Sequence, residues 1–252
     1  MQTGVSLKSV KSPSAADIAL SSPASGCRVC DPRGGCLSEQ LLKNDSLHQQ
    51  LQQAKRIYRK GEHVFHAAEL SEAFFVVKSG SVKSYFISED GEEQVLGFYL
   101  PGDVFGLDLS QDLKRASSVT TLETTSLCRF PLAYLSEQAI GLNLLRLTSE
   151  QMVRDHNLVL MLARKDADGR IASFLTDLAQ RYQARGYSGL AFNLTMSRQD
   201  IGCYLGLAVE TVSRTLTRFQ DCGLLRVNRR EVEILKVDSL LSVAGAQANR
   251  IA

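Results

Sequence analysis

Long apolar runs are missing from this 252-residue chain. None approaches the ~20 residues that a membrane-crossing helix needs, and the N-terminal stretch lacks the ~7–15-residue hydrophobic core of a secretory leader, so a cytoplasmic protein is expected. A charge excess is missing too: 29 Lys and Arg stand against 27 Asp and Glu, a net +2. That balance excludes a uniformly basic protein that coats nucleic acid without selectivity. There is no phosphate-binding loop, no dinucleotide fingerprint and no local acid–base group beside the cysteines, so no enzyme is expected. His48, His63, His66 and His156 show no paired spacing, which argues against haem sensing.

Against these absences stands Val209-Glu210-Thr211-Val212-Ser213-Arg214. Glu210, Ser213 and Arg214 fall at i, i+3 and i+4, which stacks them on one face of a helix. Glutamate accepts from cytosine N4–H₂, arginine donates a bidentate pair to guanine O6 and N7, and serine serves either base. Val212, Leu216 and Phe219 recur on the opposite side as an apolar back. The bland alternative is an exposed ion pair between Glu210 and Arg214 one turn apart.

The flanking residues favour the DNA reading. Ser197-Arg198-Gln199-Asp200 is a helix start with a Ser cap and an acid three residues on, Ile201, Tyr204 and Leu205 continue it, and Gly206-Leu207-Ala208 fits the turn of a helix-turn-helix. Gly223 is a helix stop. Beyond it, Leu225–Val227 and Val232–Leu235 read as strands around the basic tip Asn228-Arg229-Arg230, suited to phosphates. From residue 165 onward twelve Lys and Arg meet nine Asp and Glu, with Arg214, Arg218, Arg226, Arg229 and Arg230 supplying the local excess.

The chain is long enough for two small domains with cores of their own. Residues 1–26 are rich in Ser, Ala, Lys and Pro and are expected to be disordered; 27–50 form a cysteine-rich segment. Over 51–134, short β-rich runs (Glu72 to Lys78, Val82 to Ile87, Gln94 to Leu100) alternate with turn signals and predict a small antiparallel roll. Residues 135–165 contain no proline and follow a helical period, which predicts one long helix. The remainder, 166–252, holds two further helices around Phe174 and Leu178, then the helix-turn-helix and wing. The fold class expected is α+β.

Six cysteines in a reducing compartment argue for a metal or redox role over disulfides. Cys27-x₂-Cys30-x₅-Cys36 places three thiols in a turn-rich segment, and Cys128 stands alone as a distant fourth ligand would. That spacing suits an iron–sulfur cluster; zinc and reduced bystander thiols remain open on spacing alone. Cys203 and Cys222 lie in helical patterns and read as small core residues.

These cysteines, Leu122-Glu123-Thr124 running to Cys128, and Ile201-Gly202-Cys203-Tyr204-Leu205-Gly206-Leu207 leading into Glu210-Thr211-Val212-Ser213-Arg214 together resemble an oxygen-responsive FNR-type regulator of the CRP/FNR superfamily. The match covers nearly everything after the tail. The resemblance implies a cyclic-nucleotide-binding-like β-roll, a long dimerisation helix and a C-terminal winged helix-turn-helix. It also implies a [4Fe–4S] cluster on Cys27, Cys30, Cys36 and Cys128, a homodimer on palindromic promoter DNA with TTGAT-type half-sites under low oxygen, and a contact to RNA polymerase through Glu89, Asp90, Gly91 and Glu92. DNA contacts fall to Glu210, Thr211, Ser213, Arg214, Arg218 and Arg229. Asp31 departs from the small or neutral residue usual beside the second cysteine and puts a carboxylate next to an anionic centre. Cyclic nucleotide is not expected: Phe105-Gly106 is followed by Leu107-Asp108 instead of a ribose-binding glutamate, and Arg115-Ala116-Ser117-Ser118 only loosely echoes the phosphate-binding run.

Heptads written through the long helix place Leu145, Met152 and Val159 at one seam position and Thr148, Asp155 and Leu162 at the other. In a parallel two-fold pair Asp155 faces its twin, and two carboxylates brought together repel and lose hydration. The expected dimer is therefore weak, with the intact cluster supplying the small stabilisation that tips monomer to dimer; the alternative is that Asp155 is simply an exposed residue.

Overall fold

The computed structural model describes residues 55–136 and 138–245. The expected tail 1–26 and the segment with Cys27, Cys30 and Cys36 lie outside the described residues.

Eight strands form the roll: β1 Lys55–Tyr58, β2 His63–Phe65, β3 Ala73–Ser79, β4 Val82–Ile87, β5 Glu93–Tyr99, β6 Val104–Phe105, β7 Ser118–Thr121 and β8 Thr125–Pro131. They pair antiparallel in two sheets of order β1-β8-β3-β6 and β2-β7-β4-β5. Strand β3 explains the layering. Its run Ala73-Phe74-Phe75-Val76-Val77 is buried throughout, because each face meets a different apolar layer. Phe75 and Val77 join Phe65, Val82, Phe105, Val119 and Leu127 inside the roll, while Phe74 and Val76 pack outward on Phe130, Leu144 and Leu147. Phe74 stacks on Phe130 at 5.1 Å between centroids.

A 3₁₀ turn at Leu132–Ser136 leads into the long helix α1, Gln138–Arg164. The expected start at residue 135 therefore shifts by one turn. The second helix, α2, spans Ala167–Gln183 without a break. This corrects the reading of two helices: Ile171, Phe174, Leu175 and Leu178 recur at helical spacing on one buried face, so Phe174 and Leu178 belong to the same element. Then come β9 Ala191–Asn193, α3 Arg198–Leu205, α4 Val209–Asp221, β10 Leu225–Asn228, β11 Glu231–Ile234 and α5 Val237–Val243, with a sheet of order β10-β11-β9. The sequence reading did not anticipate β9 or α5.

The roll and the C-terminal part share one core. Val95, Phe98, Leu100 and Leu122 from the roll pack with Phe174 and Leu178 of α2, Ile201 and Leu205 of α3, and Val212, Leu216 and Phe219 of α4. Among the described residues no helix is long and apolar enough to cross a membrane.

Candidate nucleic-acid interface

Ser197 caps α3: its Oγ accepts from the Asp200 amide at 3.0 Å, and the Asp200 carboxylate accepts from the Ser197 amide at 2.8 Å. The reciprocal bonds satisfy two amide donors that a helix start leaves without partners. At the far end Gly206 adopts φ 62°, a left-handed conformation that glycine takes without a Cβ penalty, and Ala208 is the extended N-cap of α4. Gly202 lets the two helices close: a Cβ there would sit 2.6 Å from the Leu207 carbonyl oxygen.

Helix α4 buries Val212, Thr215, Leu216 and Phe219 and exposes Glu210, Ser213 and Arg214. Arg214 Nε lies 3.4 Å from the Glu210 carbonyl oxygen, and among the described residues no ion pair joins the two side chains. The Ser213 hydroxyl donates to the Val209 carbonyl at 3.0 Å. Thr211 is half-buried at the flank. Arg218, expected on the DNA side, is exposed but ion-paired with Asp168 at the start of α2. It braces α4 as well as extending the basic face. At the wing tip Arg229 takes φ 55°, and Arg226 pairs with Glu233 at 2.6 Å.

Polar contacts that the sequence did not reveal fix this module on the roll. Lys83 of β4 lies 2.6 Å from Asp200 and 2.5 Å from Glu93. Burial would lower the Lys83 pKa, but the two carboxylates outweigh it and hold the amine above its usual value. Gln94 donates to the Cys203 carbonyl at 2.6 Å, and the Ser81 hydroxyl to Thr195 Oγ1 at 2.8 Å. Asp103 accepts from Arg181, Arg185 and the Leu100 amide at 2.5, 2.5 and 2.7 Å. Burial alone would raise its pKa; the Arg181 and Arg185 guanidiniums hold it below the ordinary carboxylate range.

The long helix presents an apolar stripe. Leu145, Met152 and Val159 are each at least 60% exposed, and Leu142, Val153 and Leu160 lie beside them. Asp155 is exposed at the edge of the stripe, where it accepts from Gln151 Nε2 at 2.8 Å. Thr148 is exposed, its hydroxyl turned back to the Leu144 and Leu145 carbonyls. Leu162, expected at the seam position of Thr148 and Asp155, packs half-buried on the shared core.

Cys128 is half-buried on β8, opposite Lys55 of β1 and Val76 of β3, in the apolar cluster that contains Leu144 and Leu147 of α1. Among the described residues no group of three His, Cys, Asp or Glu is placed to hold a metal. Cys27, Cys30 and Cys36, the other expected ligands, lie outside the described residues. Glu89, Asp90, Gly91 and Glu92 form the exposed β4–β5 turn, with Gly91 at φ 81°. His63 and His66, unpaired by spacing, bring their rings to 4.4 Å. Arg115 is buried; it donates to the Gly106 and Ala73 carbonyls and stacks on Phe65 at 4.0 Å.

A roll joined through a long helix to a winged helix-turn-helix with an open reading face defines a DNA-binding regulator of transcription, not a catalyst. Residues 55–139 match the family model for the cyclic nucleotide-binding domain and residues 169–243 that for the Crp-like helix-turn-helix domain. The chain is 41% identical over 232 residues to the transcriptional activator protein anr of Pseudomonas aeruginosa, covering 89% of this chain and 95% of that protein. It is 36% identical over 232 residues to an anaerobic regulatory protein of Aggregatibacter actinomycetemcomitans, covering 89% and 90%. The solved structure of FixK2 from Bradyrhizobium japonicum superposes with a TM-score of 0.70 at 31% identity, covering 77% of this chain and 98% of that one. The chain belongs to the CRP/FNR family of transcription regulators, in its FNR branch.

Proposed function

We propose that this protein is an oxygen-sensing regulator of transcription that acts in the cytoplasm under anaerobic conditions. A [4Fe–4S] cluster held by Cys27, Cys30, Cys36 and Cys128 promotes homodimerisation through α1, and the dimer binds palindromic promoter DNA with TTGAT-type half-sites. The observation that carries the reading is the setting of Cys128, which shares one apolar cluster with Leu144 and Leu147 of α1. The donor set fits: four thiolates are the usual ligands of such a cluster, and the half-buried position limits solvent access to the fourth. Strand β1, which pairs with Cys128, is the first described element after the three other cysteines. When bound, the cluster supplies an oxygen-reactive centre.

The chain's own residues do the rest. Leu144 and Leu147 carry the position of Cys128 into α1. Leu145, Met152 and Val159 bury against their twins, and Asp155 at the edge of the same stripe keeps the pair weak enough to be controlled. Two α4 helices then read two half-sites, with Glu210, Ser213 and Arg214 at base edges, Thr211 flanking them, and Arg218 and Arg229 near phosphates. Each half-site contact is modest; linking two multiplies the affinity through effective concentration. The acidic turn Glu89–Glu92 is offered to a basic surface of RNA polymerase.

Cyclic nucleotide has no place in this reading. Arg115 is committed to backbone carbonyls. The cleft of about 790 Å³ between roll, α1 and α2 is lined by five carboxylates (Asp103, Asp108, Glu150, Asp155, Asp177) against three arginines (Arg154, Arg181, Arg185).

The test is anaerobic purification with iron and sulfide analysis, light scattering, and binding to a TTGAT-type duplex before and after air. About four iron and four sulfide per chain, with dimer and DNA binding lost on oxygenation, is expected. Iron-free protein that binds DNA equally in air would remove the sensor and leave the regulator.

A further inference from the structure

One guanidinium joins the end of the long helix to the turn ahead of the reading helix. Arg170, in the first turns of α2, donates from Nε to the Lys165 carbonyl at 2.9 Å and from Nη2 to the Leu162 carbonyl at 2.9 Å. Its Nη1 donates to the Leu205 carbonyl at 2.9 Å and approaches the Gly206 carbonyl at 3.4 Å. The first two acceptors close the C-terminus of α1; the second two close the C-terminus of α3. Helix C-termini leave carbonyls without partners and carry the negative end of the helix dipole. A rigid, always-charged fork is suited to hold two such ends at once, and a lysine, with a single point of charge, is not.

The neighbouring residues extend the junction. Asp166 caps α2 by accepting from the Gly169 amide at 2.9 Å. Asp168 accepts from Thr215 Oγ1 at 3.2 Å and pairs with Arg218, both on α4. The first turns of α2 thus grip the last turn of α1, the last turn of α3 and the flank of α4. A shift of the α1 terminus moves the carbonyls that orient the Arg170 fork, and the fork moves the Leu205–Gly206 turn on which the angle of α4 depends.

We propose that Arg170 is a positioning residue: it converts the placement of α1 in the dimer into the separation and tilt of the two reading helices. Its guanidinium is engaged with backbone carbonyls alone among the described residues. The proposal rests on the dimeric reading given above, and it makes the spacing between half-sites, not contact with bases, the quantity Arg170 controls.

The experiment uses the full chain, purified anaerobically, with Arg170→Gln and Arg170→Lys as variants and their melting curves as the check on folding. Affinity is measured for two duplexes, one with the natural half-site spacing and one with a base pair inserted at the centre, alongside the dimer fraction by light scattering. The unmodified protein is expected to prefer the natural spacing. Both variants should dimerise normally, lose about tenfold or more in affinity for it, as expected when charge-assisted bonds at a junction are cut, and discriminate the two duplexes less. A general loss of stability would lower binding to both duplexes alike. Discrimination retained by Arg170→Gln, or restored by Arg170→Lys, would overturn the proposal. If the unmodified protein shows no spacing preference, the dimeric reading fails instead. The link is then judged by hydrogen exchange at the Leu207 amide, bonded to the Gly202 carbonyl at 2.9 Å. Faster exchange in both variants supports it, and unchanged exchange rejects it.

Discussion

Asp103 ties the roll to the C-terminal part through two arginines, and Asp103→Asn tests what that tie contributes. The side chain is 7% exposed and faces Arg181 and Arg185, themselves 15% and 18% exposed. Asparagine keeps the shape but strips the charge, leaving Arg185 without a carboxylate and Arg181 with only the more exposed Asp177, 3.5 Å away; the buried Arg181 Nε already has no hydrogen-bond partner. Removing one member of a buried pair costs about 3–5 kcal/mol, and the residual solvent access of the arginines favours the lower end. At this chain length about 3 kcal/mol lowers Tm by roughly 6–12 °C. Glu233→Gln, which breaks the exposed pair with Arg226, is the control and should cost at most about 1 kcal/mol. Because Asp103 is held below its ordinary pKa in the folded state, its contribution is full above the unfolded value and is lost as pH falls through the folded one. The unmodified protein should therefore weaken in acid below about pH 4, and Asp103→Asn should lack that component. Calorimetry across pH reads both effects. A Tm change no larger than the control's, with an unaltered acid slope, would refute the reasoning.

Three further outcomes are expected. Arg214→Ala should cost about 1–3 kcal/mol of DNA binding and relax selectivity at one base pair, whereas Arg229→Ala should weaken all duplexes evenly and reduce the salt slope by about one; fluorescence anisotropy across salt separates them. Asp155→Ala should give a dimer in protein stripped of metal, and a monomer in sedimentation would rule out carboxylate repulsion as the brake. Cys128→Ser should abolish iron retention during anaerobic purification while leaving the far-ultraviolet circular dichroism unchanged. Full iron content in that variant would exclude Cys128 as a ligand.

The parts legible in the sequence were those set by neighbours along the chain. The Ser197–Asp200 capping box, the Gly206 turn and the two-faced α4 each depend on residues within one or two helical turns, and each stands in the structure as the spacing implies. The contacts joining the two halves were not legible, because Lys83 meets Asp200 and Asp103 meets Arg181 across many intervening residues and no local pattern pairs them. Similar reasons hid the ion pair of Arg218: its charge pointed to DNA, while only the fold brings Asp168 beside it. Leu162 fits a heptad by number, yet α1 is also a wall of the shared core, and that side takes the leucine. Strand β9 is three residues long, too short to show alternation, and is held by pairing with β11.

The space at Gly202 has an evolutionary consequence. Every amino acid reachable from a glycine codon by one nucleotide change adds at least a Cβ, and here that atom would meet the Leu207 carbonyl oxygen, a backbone atom, at 2.6 Å. No smaller residue exists, so the angle between α3 and α4 cannot drift by small steps in side-chain size at this site. The exposed side chains Glu210, Ser213 and Arg214 can change on a mounting whose geometry is fixed by a missing atom.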